Sequence, residues 1–150
     1  MSLSYPTALE SFPVQGQMSR TWSDPSLRLL FIEDELDIQA IVKLALESFS
    51  SFNVDTTNHK NALALARNQN WDVFLLEVAT AEGIDLTTYY QIKENAKNKH
   101  TPIIFLTSRV MPEETAHLQQ LDIAGIIPKP FNPVDLGQQI AALLFASLQR

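Results

Sequence analysis

The sequence predicts an α/β fold in which one parallel sheet carries helices on both faces. Five short apolar runs of strand length alternate with five segments whose apolar residues recur every three or four positions. Parallel strands cannot be joined by tight turns, and the right-handed crossovers that join them are usually helices. The most telling run is Val73 to Leu76, apolar at every position and followed at once by the acid Glu77. A strand buried on both faces looks like this when its carboxyl end opens into a site.

Leu27 to Ile32 is the first strand, and the acids Glu33 and Asp34 follow at its end. Asp34 or Asp37 then caps a helix carrying Ile38, Ile41, Val42, Ala45, Leu46 and Phe49. Phe52 to Thr56 is a second, more polar strand of edge character, and Asn58 and Asn61 introduce a helix with Ala62, Leu63, Leu65 and Ala66. After the third strand a loop from Val78 to Ile84 contains Gly83, and Asp85 caps a helix running to about Lys97. Thr101 to Leu106 is the fourth strand, with Thr107 and Ser108 at its end. Pro112 at a first turn, with Glu113 and Glu114 near the positive helix end, starts the fourth helix. Ala124 to Ile127 is the fifth strand and leads into Pro128-Lys129-Pro130-Phe131; Asn132 caps the last helix, with Pro133 in its first turn.

At 150 residues and 45% hydrophobic content the chain has material for one core, so one domain is expected over residues 27–150. Residues 1–26 are rich in Ser, Pro, Thr and Gln, and Tyr5, Leu9, Phe12, Val14 and Trp22 keep no period. They read as a poorly ordered extension, with Met18 a candidate internal start. A net charge of -6 disfavours phosphate backbones and anionic membranes as partners. The absence of cysteine removes disulfides, thiolate zinc sites and a thiol nucleophile. No apolar run approaches the roughly 18 residues of a membrane span, and the amino terminus lacks a signal-peptide pattern. A cytoplasmic location is expected.

In such a sheet, sites lie beyond the carboxyl ends of the strands. Glu33 and Asp34, Glu77, Thr107 and Lys129 all fall on that rim. Crowded carboxylates are relieved by a divalent cation or an ammonium, and three acids against one lysine leave a charge that one magnesium ion would neutralise. With the Thr107 hydroxyl alongside, the set suits phosphoryl chemistry. Each member has a plainer reading: the two acids as helix caps, Lys129 as a solvated loop residue. His59, His100 and His117 fall on surface segments without metal-ligand spacing. Asp85 as a substitute acceptor is weaker than Asp85 as a cap, and Asp72 lies at the opposite rim.

With Phe-Ile-Glu-Asp-Glu (31–35), Val-Phe-Leu-Leu-Glu (73–77), Phe-Leu-Thr-Ser-Arg (105–109) and Pro-Lys-Pro-Phe (128–131) in order on these elements, the chain resembles a response-regulator receiver domain of two-component signalling over about residues 27–148. The resemblance implies a flavodoxin-like, doubly wound (βα)5 fold with a five-stranded parallel sheet of order 2-1-3-4-5. It implies that Glu33, Asp34, Glu77 and the Ala79 carbonyl form the Mg2+ side of the pocket, that Glu77 holds the phosphoacceptor position, that Thr107 is the switch hydroxyl and that Lys129 pairs with the phosphoryl group. It also implies a cis Lys129 to Pro130 bond.

Two positions depart from the family pattern. The phosphoacceptor position holds Glu77 rather than Asp, and the aromatic three residues before the lysine is Ile126. An extra methylene moves the carboxylate by about 1.5 Å, and in-line transfer loses about a hundredfold from misplacements of that size. The longer side chain directs its charge toward Lys129 and Thr107, so Glu77 either imitates the phosphorylated state or locks the pocket through a salt bridge.

The chain is therefore read as a stand-alone atypical receiver, a protein-protein interaction module with phosphorylation lost or weakened, and not an enzyme. A histidine kinase or a downstream signalling protein is the expected partner. The fourth helix, fifth strand and fifth helix are the candidate contact and homodimer surface, with residues from Glu113 to Leu121 and the partly exposed Leu144 and Leu148 on it. The alternative is metal-dependent phosphotransfer or phosphatase activity in the acidic pocket. A nucleotide-binding module is disfavoured because no glycine-rich phosphate loop follows any strand.

Overall fold

The structure, a computed structural model, describes residues 27–149. The expected extension over residues 1–26 lies outside the described residues. Along the chain run β1 (Arg28–Ile32), α1 (Leu36–Phe49), β2 (Asn53–Thr57), α2 (His59–Asn68), β3 (Val73–Leu76), the short strands β4 (Ala79–Thr80) and β5 (Gly83–Ile84), α3 (Thr87–Glu94), β6 (Ile103–Thr107), α4 (Pro112–Leu118), β7 (Gly125–Pro128) and α5 (Leu136–Leu148). The main sheet has the order β2-β1-β3-β6-β7, and all its neighbours are parallel. With the β4-β5 hairpin set aside, this is the order 2-1-3-4-5 that the family resemblance implies.

Alternation along the strands builds two cores. Leu29, Phe31, Val54, Val73, Leu75, Ile104, Leu106 and Ile127 pack under α1 and α5, against Val42, Leu46, Ile140 and Leu144. Leu30, Ile32, Phe74, Leu76, Ile103 and Phe105 face the other way, against Ala62 and Ala66 of α2, Tyr89 and Ile92 of α3 and Leu118 of α4. Side chains at i and i+2 share a face, so an apolar run without alternation is what a strand between two helical layers requires. Among the described residues no helix is long and apolar enough to cross a membrane.

The element boundaries differ from expectation where local capping decides them. Neither Asp34 nor Asp37 caps α1: Glu35 holds the cap position with no side-chain cap bond, and Asp37 lies in the first turn. Asn58 caps α2 as expected, its side chain accepting the Asn61 amide at 2.8 Å. Asp85 accepts the Thr87 amide at 2.9 Å just ahead of α3. That helix ends at Glu94, short of Lys97, because the following turns close on themselves and the Asn98 side chain donates to the Ala66 carbonyl at 3.1 Å. Asn132 caps a turn rather than a helix, with its side chain accepting the Val134 amide, and α5 begins at Leu136. The stretch read as a plain loop after β3 is a hairpin whose turn uses Gly83 at φ 141°, a conformation that favours glycine. Leu144, expected near the surface, belongs to the core, while Leu148 is 58% exposed.

Leu75 lies fully buried on the central strand, in the core under α1 and α5. Leu75→Ala is expected to lower unfolding free energy by about 2–5 kcal/mol, read from urea denaturation.

Candidate functional site

The register of the sheet places the site. Ile32 is paired with Leu76, so the next residues, Glu33 and Glu77, leave β1 and β3 side by side, and the Glu77 amide donates to the Ile32 carbonyl at 3.1 Å. The Glu33 amide continues the ladder to Thr57 at 2.9 Å, and the Lys129 amide continues it from β7 to Thr107 at 2.9 Å. Continuing the strand alternation puts Glu33, Glu77 and Lys129 all on the parity of Phe31, Leu75 and Ile127. Three charged side chains thus leave the rim on one side of the sheet.

They meet. Lys129 Nζ lies 2.7 Å from Glu33 Oε1 and 2.9 Å from Glu77 Oε1. The second carboxylate oxygens are used as well: Glu33 Oε2 accepts the Glu35 amide at 3.1 Å, and Glu77 Oε2 accepts the Ala79 amide at 2.7 Å. Both carboxylates are buried, at 3% exposure for Glu33 and 6% for Glu77. Burial works against the Lys129 ammonium, but the hydrogen bonds and charges of Glu33 and Glu77 outweigh it and hold its pKa above the ordinary lysine value.

Asp34 goes elsewhere. Its Oδ1 accepts the His59 backbone amide at 2.9 Å and faces His59 Nδ1 at 3.0 Å. His59 Nε2 donates to the Glu77 carbonyl at 2.7 Å. The hydrogen bond donated by the His59 backbone amide lowers the Asp34 pKa most, partial burial opposes it, and the ring contact adds to the lowering. His59 was expected on a surface segment; the structure brings it to the site, because α2 starts at the same rim where β1 and β3 end.

The other expected residues fall as follows. Thr107 is fully buried, on the opposite strand parity, and its hydroxyl oxygen accepts the Arg109 amide at 3.2 Å. Ala79 begins the hairpin. Arg109 joins Glu114 at 3.1 Å and reaches the Thr80 carbonyl at 3.4 Å, bridging the end of β6 to the hairpin. Ile126 is partly buried against the α2-α3-α4 core, and the Lys129 to Pro130 bond is cis. An open cleft of about 970 Å³ at this rim has Glu33, Asp34, His59, Glu77, Ala79, Asp85, Ser108 and Lys129 in its walls, and Thr107 is not among its lining residues.

A magnesium ion in such a cleft needs hard oxygen ligands about 2.1 Å from one point. The residues present do not fit that demand well. Glu33 and Glu77 turn an oxygen each to Lys129 and the other to a backbone amide, while Asp34 is drawn to His59. Among the described residues no three His, Cys, Asp or Glu side chains gather in a way that would hold a metal ion.

Residues 29–141 match the family model described as the response regulator receiver domain. Over 123 residues the chain is 32% identical to the transcriptional regulatory protein SrrA of Staphylococcus aureus, with 79% of this chain and 48% of that protein covered. The chain thus spans about half the length of the curated relatives it matches. The chemotaxis response regulator CheY4 of Vibrio cholerae superposes with a TM-score of 0.68 at 24% identity, covering 78% of this chain and 98% of that one. The receiver domain of the Pseudomonas aeruginosa sensor histidine kinase PA1611, whose structure has a magnesium ion coordinated in the active-site cleft, superposes with a TM-score of 0.67 at 21% identity over 80% of this chain and 98% of that one.

Removing Lys129 leaves two buried carboxylates without their cation. Lys129→Met is expected to cost about 3–5 kcal/mol in urea denaturation at neutral pH. Because the folded-state pKa of Lys129 is raised, the stabilisation is fully present below the ordinary lysine value of 10.5 and is lost as pH rises through the higher folded value. Above neutral pH, the difference between wild type and variant therefore persists until strongly alkaline solution.

Proposed function

Because the chain belongs to the response regulator receiver domain family, we propose that it serves two-component signal transduction as a receiver whose pocket is locked from within. Its acceptor position is closed by the Glu77 to Lys129 ion pair, and it works through protein-protein contact instead of phosphoryl transfer. The observation that carries this reading is Lys129 Nζ at 2.9 Å from Glu77 Oε1. The ammonium that would neutralise an incoming phosphoryl group is already engaged by the residue that would have to accept it. Glu77 Oε2 is engaged too, by the Ala79 amide, so neither oxygen is presented to an attacking geometry. A nucleophile held away from the line of attack loses orders of magnitude in rate.

Of the two roles open to Glu77, the lock is favoured over imitation of a phosphoryl group. An imitating carboxylate would engage the switch hydroxyl, whereas the Glu77 oxygens are taken up by Lys129 and the Ala79 amide. The partner is a histidine kinase or a downstream signalling protein, met through α4, β7 and α5, where Met111, Phe145 and Leu148 are exposed. The same three elements are the candidate homodimer contact.

Incubation with acetyl phosphate and magnesium, followed by Phos-tag electrophoresis, tests the lock. Wild type is expected to run unshifted, and Glu77→Asp to give a slower band. A stable shifted band in wild type that disappears in Glu77→Gln overturns the reading.

A further inference from the structure

We propose that His59 is a built-in substitute for the divalent cation: its imidazole ties Asp34 to the main chain of Glu77, and removing it opens the rim to metal. The inference rests on the receiver reading above and adds a residue for which neither the strand-end pattern nor the lock provides a role.

Asn58 accepts the Asn61 amide and so fixes the first turn of α2, which places His59 as its first residue. From there the backbone amide and ring Nδ1 both engage Asp34 Oδ1, at 2.9 and 3.0 Å, while Nε2 donates to the Glu77 carbonyl at 2.7 Å. One side chain thus spans the ends of β1 and β3 and draws in an acid and a main-chain oxygen. These are the ligand types that a hard cation on this rim would recruit. The three rim acids are divided between two nitrogen-bearing side chains, Glu33 and Glu77 to Lys129 and Asp34 to His59. A metal would need these oxygens to face one point at about 2.1 Å. The His59 ring adds a second contact to the Asp34 oxygen that the main-chain amide already holds, and it lines the cleft beside Glu77. A histidine that merely caps the surface of a helix would need neither the second ring contact nor the carbonyl of the neighbouring strand.

The test is Mn2+ titration of the full chain, read from the electron paramagnetic resonance signal of the free aquo ion, with Mg2+ as competitor. Wild type, His59→Ala, Glu77→Asp and the double variant are compared. Wild type is expected to leave the free signal intact. In the Glu77→Asp background, loss of His59 is expected to tighten Mn2+ binding about 10-fold or more, in a manner that Mg2+ reverses. If circular dichroism shows that His59→Ala is unfolded, His59→Ser keeps a residue tolerated at helix starts and serves the same comparison. Wild type binding Mn2+ as tightly as the His59 variant overturns the proposal, as does an affinity of Glu77→Asp that His59 removal leaves unchanged. Metal binding by wild type without phosphoryl labelling defeats this inference alone, and labelling of wild type Glu77 defeats the lock.

Discussion

The Lys129 ammonium between Glu33 and Glu77 is the contact on which the rim depends. Withdrawing charges from water costs several kcal/mol per ion even after relaxation, so two carboxylates at 3% and 6% exposure cannot stand side by side without compensation. One ammonium at 2.7 and 2.9 Å supplies it, and two backbone amides take the remaining oxygens. The compensation has a structural consequence as well. Glu33 follows β1, Glu77 follows β3 and Lys129 follows β7, so the ion triad staples the first, central and last strands of the chain at one end of the sheet.

Much of this was legible because the fold is written in period and parity. Apolar runs without alternation marked Leu29 to Ile32, Val73 to Leu76 and Ile103 to Leu106 as strands covered on both faces, and all lie fully buried. Counting parity past the end of each strand also shows that Glu33, Glu77 and Lys129 share a side, whereas Thr107 does not. Less legible were the boundaries. Whether Asp34 caps α1 or reaches across to α2 is decided by His59, twenty-five residues away in the chain. Spacing rules for metal ligands could not find His59, since its role comes from position: a residue opening a helix at the rim where its preceding strand ends. The Gly83 hairpin was marked by a glycine, but a two-residue pairing carries no periodic signal.

Why one methylene matters follows from how rigidly its base is held. The backbone at Glu77 is fixed by its own amide to Ile32, by its carbonyl to His59 and by β3 between two parallel neighbours. The strand therefore cannot shift to absorb a longer side chain, and the extra length moves the carboxylate itself. It lands between the Lys129 ammonium and the Ala79 amide, joining the end of β7 to the first residue of the hairpin. Farther along the same rim Thr107 is buried against the Arg109 amide, and Ile126 packs where the family resemblance implies a ring able to move. A switch needs two arrangements of similar free energy and an input that favours one of them. Here the Glu77 carboxylate, Lys129 and Ile126 are all engaged in the resting fold, so on the proposed reading an incoming phosphoryl group would have to break the Glu77 to Lys129 pair before it could favour a second arrangement.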